Sequence, residues 1–228
     1  MRSLINRLIS KYKNESFQID ANIPTSYLIG FFCGKITNLI YGFLIFRKIK
    51  LCFIHPSSVI KCKQKIAFQN NLSIDRRCYI DALSFEGVFL GSNVSIGKFT
   101  TIECTGSLRS LGKGLKVGDN VGLGTHGFFG CAGGVEIGDD TIFGNFISLH
   151  SENHNFNDTD KPIRLQGVNR IGIKIGRNCW IGAKVTILDG AIIKDGCIVA
   201  AGAVLKAGVY KENGIYGGVP GKFIKNRI

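Results

Sequence analysis

The side chains best suited to proton transfer at neutral pH in this chain are its four histidines. An imidazole can take the proton of a hydroxyl group, which is a poor nucleophile until that proton leaves. One of them, His154, stands immediately before a polar stretch, residues 155–170, that could wall a pocket. His150 lies four residues earlier, a spacing that suggests a metal pair on a helix but not on an extended strand.

The eight cysteines form no C-x-x-C pair. Cys78, Cys179 and Cys197 fall where the surrounding pattern requires a small inward side chain. We interpret the cysteines as reduced, buried, small apolar residues of a cytoplasmic protein. A zinc site or a disulfide framework fits this spacing poorly, so we expect no metal.

These residues lie within a six-residue repeat, which predicts the fold. Branched aliphatic residues stand six apart at Ile175, Ile181, Ile187, Ile193, Val199 and Leu205. Four residues after each of the first five comes a small residue or valine: Cys179, Val185, Ala191, Cys197 and Ala203. A helix cannot keep a six-residue stripe on one face. Flat-sided coils of three sides, stacked as parallel strands, explain both sets and predict an all-β solenoid.

The repeat is interrupted twice, at residues 106–116 and at residues 155–170. Insertions in a solenoid gather on one face and commonly carry the binding site. Residues 122–127 spell G-x-G-x-x-G, but they lie inside the repeat and open no helix. We therefore do not interpret them as a dinucleotide fingerprint. The sequence predicts a β-helix over residues 51–206 with an acceptor loop at 155–170 and a tail at 207–228.

The first fifty residues differ from the repeat. Residues 1–13 alternate apolar and basic side chains at helical spacing, and residues 27–46 are almost wholly apolar. The second segment is long enough to cross a bilayer, but Lys35 near its midpoint is costly there. An in-plane or re-entrant membrane helix and a helix packed on the main domain or another subunit both remain open. Gly30 and Gly34 form a G-x-x-x-G pair that would permit close helix packing.

The formal net charge of +13 predicts attraction to anions. The candidates are nucleic acid, an anionic membrane surface and a polyphosphate-bearing cosubstrate. The basic residues are not gathered in one arm with interleaved aromatic residues, so nucleic acid is the weakest of the three. No small-residue cleavage site follows the apolar segment, which argues against a secretory signal.

The segments IGDDTIFGNFISLHSENH and IKIGRNCWIGAKVTILDGAIIKDGCIVAAGAVLKAG, on either side of the insertion, resemble the hexapeptide-repeat acyltransferases. The likeness is nearest to the galactoside, maltose and xenobiotic acetyltransferases and the polysaccharide O-acetyltransferases. It covers roughly residues 90–225. It implies a left-handed parallel β-helix, a homotrimer, and acetyl-CoA bound in the groove between adjacent subunits.

The resemblance also implies roles for particular residues. His154 stands at the position of the family's catalytic histidine, and Glu152 and Asn153 are candidates to orient it or to bind the acceptor. Where the sugar acetyltransferases carry an acceptor-binding asparagine, this chain has Gly124, so His126 is the candidate to contact the acceptor instead. The implied cosubstrate contacts are Trp180, Gly182, Ala183, Ala201, Gly202, Lys206 and Lys222.

The expected reaction is direct O-acetylation of a sugar hydroxyl in a surface polysaccharide or its precursor, which is lipid-linked in one version of the hypothesis. Antibiotic or amino-sugar acetylation is the alternative within the same enzyme class. Trimeric metal-dependent carbonic anhydrases share the fold, but they space their histidines differently, and a non-catalytic scaffold is the third class. We expect a cytoplasmic protein in peripheral contact with the inner face of the cell membrane.

Overall fold

The computed structural model describes residues 6, 7, 10, 16 and 18–227, which divide into two compact units between Thr37 and Asn38. In the first unit, the Ile19 N–H donates a hydrogen bond to Asn6 Oδ1 at 3.1 Å. The amphipathic helix predicted in residues 1–13 lies for the most part outside the described residues. Helix α1 spans Thr25–Phe46 and confirms the predicted N-terminal helical segment.

Helix α1 is long and apolar enough, by length and composition, to cross a membrane, with a mean hydropathy of 1.6. It ends where Arg47 adopts a left-handed conformation (φ 50°), a common way to terminate a helix. No heavy atom lies within 4 Å of a Cβ built on Gly30 or Gly34.

The second unit winds into a three-sided prism, which confirms the predicted left-handed parallel β-helix. We number the faces in the order in which the chain first meets them. The first face contains Cys52–Ile54, Leu72–Ile74, Ser95–Ile96, Gly122–Leu123, Ile142–Phe143, Trp180–Ile181, Ile198–Val199, Gly214–Gly217 and Lys222–Asn226. The second contains Val59–Lys61, Tyr79–Asp81, Thr101–Glu103, Phe128–Gly130, Ser148–His150, Thr186–Leu188 and Val204–Leu205. The third contains Ile66–Phe68, Gly87–Leu90, Gly114–Val117, Val135–Ile137, Ile173–Ile175, Ala191–Ile193 and Gly208–Tyr210.

Within each face all neighbouring strands pair in parallel, except that Lys222–Asn226 folds back antiparallel on Gly214–Gly217. Short 3₁₀ helices occur at Lys63–Lys65 and Ile163–Leu165. The parallel coils continue past residue 206, where the sequence predicts a tail. Gly208–Tyr210 and Gly214–Gly217 still pair with the coil below them, so the tail begins as a further coil.

The repeat residues fill the prism as predicted. All six aliphatic residues from Ile175 to Leu205, and all five small residues that follow them, are buried. The corner after the third face is held by side-chain amides stacked along the prism. Asn71 donates to Asn93, Asn93 to Asn120, and Asn120 to Asp140, each at 2.8–2.9 Å. All four adopt left-handed conformations, which asparagine and aspartate tolerate better than most residues.

Six of the eight cysteines are buried, and all eight are free thiols. Burial raises the pKa of the Cys52 thiol to about 12 and that of Cys179 to about 11. It also raises the pKa values of Cys78, Cys131 and Cys197. These thiols are therefore protonated at neutral pH and serve as small core residues.

The buried thiols predict a loss of stability in alkaline solution. Their native pKa values are raised, so their contribution is complete below the unfolded pKa of about 8.5 and declines as the pH rises above it. Replacing Cys52 with valine removes one such group. We expect the free energy of unfolding of the wild type, relative to Cys52→Val, to fall by about 2 kcal/mol between pH 8 and pH 10. Urea titrations under reducing conditions measure this difference; a constant difference would contradict the assignment.

Candidate active site

The longer insertion leaves the prism at the corner between the second and third faces, which we call the second corner. Its two ends pair with each other as a two-stranded antiparallel ladder, in which Asn153 pairs with Asn169 and His154 pairs with Val168. We call this pair of strands the hairpin. The hairpin holds the backbone of His154 beside the prism wall. The side chain of His154 is exposed.

The loop beyond this hairpin is organised by Gln166. Its side-chain amide donates to the carbonyl oxygens of Asp158 and Lys161, both at 2.7 Å, and its Oε1 accepts from the Asp158 N–H. Asn155 closes the loop, because its Nδ2 donates to the Gln166 carbonyl and its N–H to that of Gly167. The insertion is thus a defined structure built from its own polar side chains.

Arg170 ties this insertion to the shorter one. The shorter insertion is a hairpin of Gly106–Ser107 with Ser110–Leu111. Arg170 Nε donates to Glu152 Oε2 at 2.8 Å, and its two Nη atoms donate to Ser110 and to the Leu111 carbonyl at 3.0–3.2 Å. The Arg170 side chain is only 19% exposed. One guanidinium therefore joins both insertions and the residue before the His154 hairpin.

Asp189 fixes the place where the insertion rejoins the prism. Its side chain is buried, with 1% exposed, and its carboxylate accepts the backbone N–H groups of Ile171 and Gly172 at 2.6–3.0 Å. Gly172 has a φ of 93°, which a side chain would strain. Both ends of the insertion are therefore held by charged groups, Arg170 and Asp189, that the sequence analysis did not identify.

His154 opens onto a cleft of about 680 Å³ formed by the insertion, and its other lining residues are Asn153, Asn155, Phe156, Asn157, Ile163 and Asn169. The lining combines amide side chains with the exposed aromatic ring of Phe156. Within the part of the chain that the structure describes, no hydrogen bond reaches the His154 imidazole. The carboxylate of Glu152 is hydrogen-bonded to Arg170 and not to His154.

His126 lies at a different corner, between the first and second faces, which we call the first corner. Its ring is stacked between Phe99 and Phe146, with centroid distances of 4.8 and 4.7 Å. The guanidinium carbon of Arg77 lies 5.7 Å from the Phe99 ring centroid. His126 is therefore one member of an exposed aromatic column. The flanking phenylalanines could not be identified from the sequence, because they stand on other coils.

The cosubstrate residues predicted from the resemblance lie mostly above this column. Ala183 and Gly202 are joined at the first corner by the Gly202 N–H donating to the Ala183 carbonyl at 2.9 Å. Gly182 and Ala201 precede them on the same two coils, and Lys222 pairs with Gly217 at the next level. Trp180 is half-exposed on the adjoining first face. Lys206, in contrast, follows the second face and lies at the second corner with His154.

Glycine is required at positions 182 and 202 for different structural reasons. A Cβ on Gly182 would lie 2.7 Å from the Ala201 nitrogen, so coil stacking alone requires a glycine there. At Gly202, whose φ is 73°, a Cβ would meet no atom within 4 Å. The surface above Gly202 is therefore open to a ligand.

The predicted site residues thus form two groups at opposite ends of the second face. Glu152, Asn153, His154 and Lys206 lie at the second corner, whereas His126, Ala183, Ala201, Gly202 and Lys222 lie at or next to the first. About five extended residues separate the corners on one coil, a distance of about 16 Å. An imidazole cannot deprotonate an acceptor that attacks a group so far away, since that requires hydrogen-bond distance. The two groups of predicted residues are therefore too far apart to act together within one copy of the chain.

Residues 172–207 match the family model described as bacterial transferase hexapeptide (six repeats). This match confirms the predicted family resemblance for that part of the chain. The segment contains both the strip around Gly182 and the coil that carries Ala201 and Gly202. It begins directly after the insertion that follows His154.

The chain is similar to known transferases in sequence and in fold. A probable acetyltransferase of Mycobacterium tuberculosis is 31% identical over 117 residues, 46% of this chain, and the match spans only 39% of that protein's length. A point variant of AntD, an N-acyltransferase from Bacillus cereus solved with dTDP and coenzyme A, superposes with a TM-score of 0.59 at 20% identity. That superposition covers 72% of this chain and 84% of the other. AntD with dTDP and 3-hydroxybutyryl-CoA gives a TM-score of 0.51 at 18% identity over 77% and 80%.

The role of Arg170 can be tested against a matched arginine. We expect Arg170→Ala to lower the free energy of unfolding by about 1–3 kcal/mol, because it leaves Glu152 and two carbonyl groups with fewer partners. Arg177→Ala, which removes an exposed ion pair with Asp195, should change it by less than about 0.5 kcal/mol. Hydrogen exchange should accelerate in residues 106–111 and 153–169 only in the Arg170 variant. Equal protection of both hairpins in the two variants would contradict this role.

Proposed function

We propose that this chain, which carries the hexapeptide repeats of the bacterial transferases, is an acetyltransferase that moves the acetyl group of acetyl-CoA to a sugar hydroxyl. The observation that supports the proposal most directly is the position of His154. It lines a polar cleft, on a hairpin whose ends are held by Arg170 and Asp189. A general base needs such a fixed position beside the acceptor.

We further propose that the active site forms between two subunits of a homotrimer. The separation of the two groups of site residues supports this arrangement. The second corner of one subunit would supply His154 and Lys206, and the first corner of its neighbour would supply Ala183, Gly202 and Lys222. Cyclic symmetry repeats this contact three times and produces three equal sites.

In the proposed reaction His154 accepts the proton of the acceptor hydroxyl while the oxygen attacks the thioester carbonyl. The backbone N–H of Ala183 has no acceptor within the described residues and is the candidate donor to the resulting oxyanion. Collapse of the tetrahedral intermediate breaks the carbon–sulfur bond, and the imidazolium of His154 gives its proton to the departing thiolate. The products are an acetyl ester and free CoA, so no covalent enzyme intermediate is required.

The lysines are proposed to bind the anionic end of the cosubstrate. Lys206 and Lys222 are both exposed and lie at the two levels above the Ala183 coil. As point charges on flexible stems, they suit phosphate groups that need no bidentate contact. Trp180 offers a half-exposed ring on the adjoining face.

An amino sugar or an antibiotic is the alternative acceptor. The polar lining of the cleft suits a hydroxyl acceptor and an amino acceptor alike. The products distinguish the two reactions, because alkali hydrolyses an acetyl ester and leaves an acetamide intact. Among residues 18–227, no group of three His, Cys, Asp or Glu side chains is arranged to hold a metal ion. The carbonic anhydrase and scaffold alternatives predict that acetyl-CoA does not bind.

His154→Ala tests the assignment of the general base. We expect turnover to fall by about 10²–10⁴, the usual contribution of general base catalysis, with the affinity for CoA nearly unchanged. Thiol release measures the first quantity and calorimetry the second. His55→Ala, on the first coil, is the control and should retain full activity. A His154→Ala enzyme as active as the wild type would refute the mechanism.

Mixing two inactive variants tests the shared site. His154→Ala removes the base, and Ala201→Trp fills the cosubstrate groove, so each variant alone should be inactive. Co-refolded at equal amounts, they should recover about a quarter of wild-type activity, because random assembly restores one interface in four. Recovery requires that the two residues act from different subunits. No recovery from well-formed mixed trimers would place the site within one subunit.

A further inference from the structure

The base of the β-helix is closed by the last two turns of α1. Tyr41, Ile45 and Phe46 pack against the core, and the Phe46 ring lies 5.0 Å from that of Phe68. Gly42 lies so close to the Cys52 carbonyl that a side chain would not fit. Residues 38–46 therefore act as the cap that a solenoid needs at its open end.

The outer surface of this cap is apolar, which is the reverse of what a solvent-facing cap requires. The exposed fractions are 56% for Ile40, 52% for Phe43, 61% for Leu44 and 99% for Ile49. Together with Leu39 and Leu51, Ile40, Phe43 and Ile49 line a shallow, mostly apolar depression of about 540 Å³. Apolar surface of this kind, gathered in one place, marks a contact with something other than water.

Cations lie beside this apolar surface and on the first coil next to it. Residues 38–74 contain six Lys or Arg residues and neither Asp nor Glu. Lys48 and Lys50 border the depression, and the Nζ of each lies 5.7 Å from the Phe68 ring centroid. Lys61, Lys63 and Lys65, on the first coil, are exposed. The Nζ of Lys61 lies 5.1 Å from the Tyr79 ring centroid and that of Lys65 donates to the Phe85 carbonyl, so these two ammonium groups are directed toward the second coil. An apolar centre with a cationic rim is the pattern of an interfacial membrane-binding surface.

We propose that this base, formed by residues 38–51 and the first coil, docks on the surface of a bilayer that contains anionic lipids. Ile40, Phe43 and Ile49 enter the boundary between the headgroups and the acyl chains. Arg47, Lys48, Lys50 and Lys63 lie at the level of the lipid phosphates and are attracted to the anionic surface. This docking is independent of the proposed acetyl transfer.

Two features favour a bilayer surface over the other possible occupants. Residues 25–37 of α1, the 13 that precede the cap, rise only about 20 Å, which is too short to cross a hydrocarbon core of about 30 Å. The helix therefore cannot span the membrane while residues 38–46 remain on the prism. A second copy docked base to base would bring the cations at the base of both chains together, which is electrostatically unfavourable.

Flotation of the full chain with vesicles tests the proposal. The vesicles contain phosphatidylcholine alone or with about 30% phosphatidylglycerol, a composition chosen for its negative surface potential. We expect strong binding to the anionic vesicles, weak binding to the neutral ones, and a several-fold loss when the salt is raised to about 0.5 M. Absence of binding to anionic vesicles would overturn the proposal.

Two pairs of substitutions supply the controls. Phe43→Glu/Ile49→Glu should lower vesicle binding at least tenfold, whereas Phe85→Glu/Val209→Glu, with the same charge change at exposed sites elsewhere, should not. Lys48→Glu/Lys63→Glu tests the rim separately, and circular dichroism confirms that each variant is folded. Equal binding by all variants would overturn the proposal. So would a wild-type oligomer that Phe43→Glu/Ile49→Glu dissociates without any vesicle binding, because a second copy would then cover the base.

Discussion

The stacking of each coil on the next is the interaction on which the structure depends. A single coil cannot bury its aliphatic side chains, because its interior is one residue thick, and only the coils above and below exclude water from them. The requirement is met at Ile181, Ile187 and Val199 alike, all buried to within 1% exposure. Side chains inside the prism are therefore fixed by geometry, and variation is confined to its corners and outer faces.

Because insertions and variable side chains are confined to the corners and outer faces, a binding site can form only there. Both insertions emerge close to the second corner, which lets a single guanidinium, Arg170, bind them together. The first corner has no insertion among its described coils and presents a ladder of short turns from Phe99 to Gly202. A rigid prism cannot bring its own corners together. A reaction that needs groups from both corners must therefore recruit a second copy.

The six-residue pattern was sufficient to predict the fold, since Ile175 to Leu205 lie in the interior as their spacing requires. The side-chain contacts of the site were not predictable in the same way. Arg170 contacts Ser110, sixty residues away, and coil lengths vary: Trp180 pairs with Ile198, 18 residues on, but Ile142 pairs with Trp180, 38 residues on. Without the coil lengths, Glu152 could not be matched to Arg170, nor His126 to its two phenylalanine neighbours. The place of His154 directly before the insertion is local in the sequence, and its role as a base stays a prediction from the family resemblance.

Because the coils are regularly spaced, the distance of any residue from the base of the prism follows from the number of its coil. The cap of α1 lies below the first coil, and the hairpin that carries His154 leaves the fifth. Four spacings of about 4.8 Å put the imidazole roughly 19 Å above the base. If the base rests on a lipid surface, a hydroxyl presented to His154 must stand about 2 nm away from it, the reach of a few sugar units and not of a headgroup. Adding or removing one coil would change that reach by about half a nanometre.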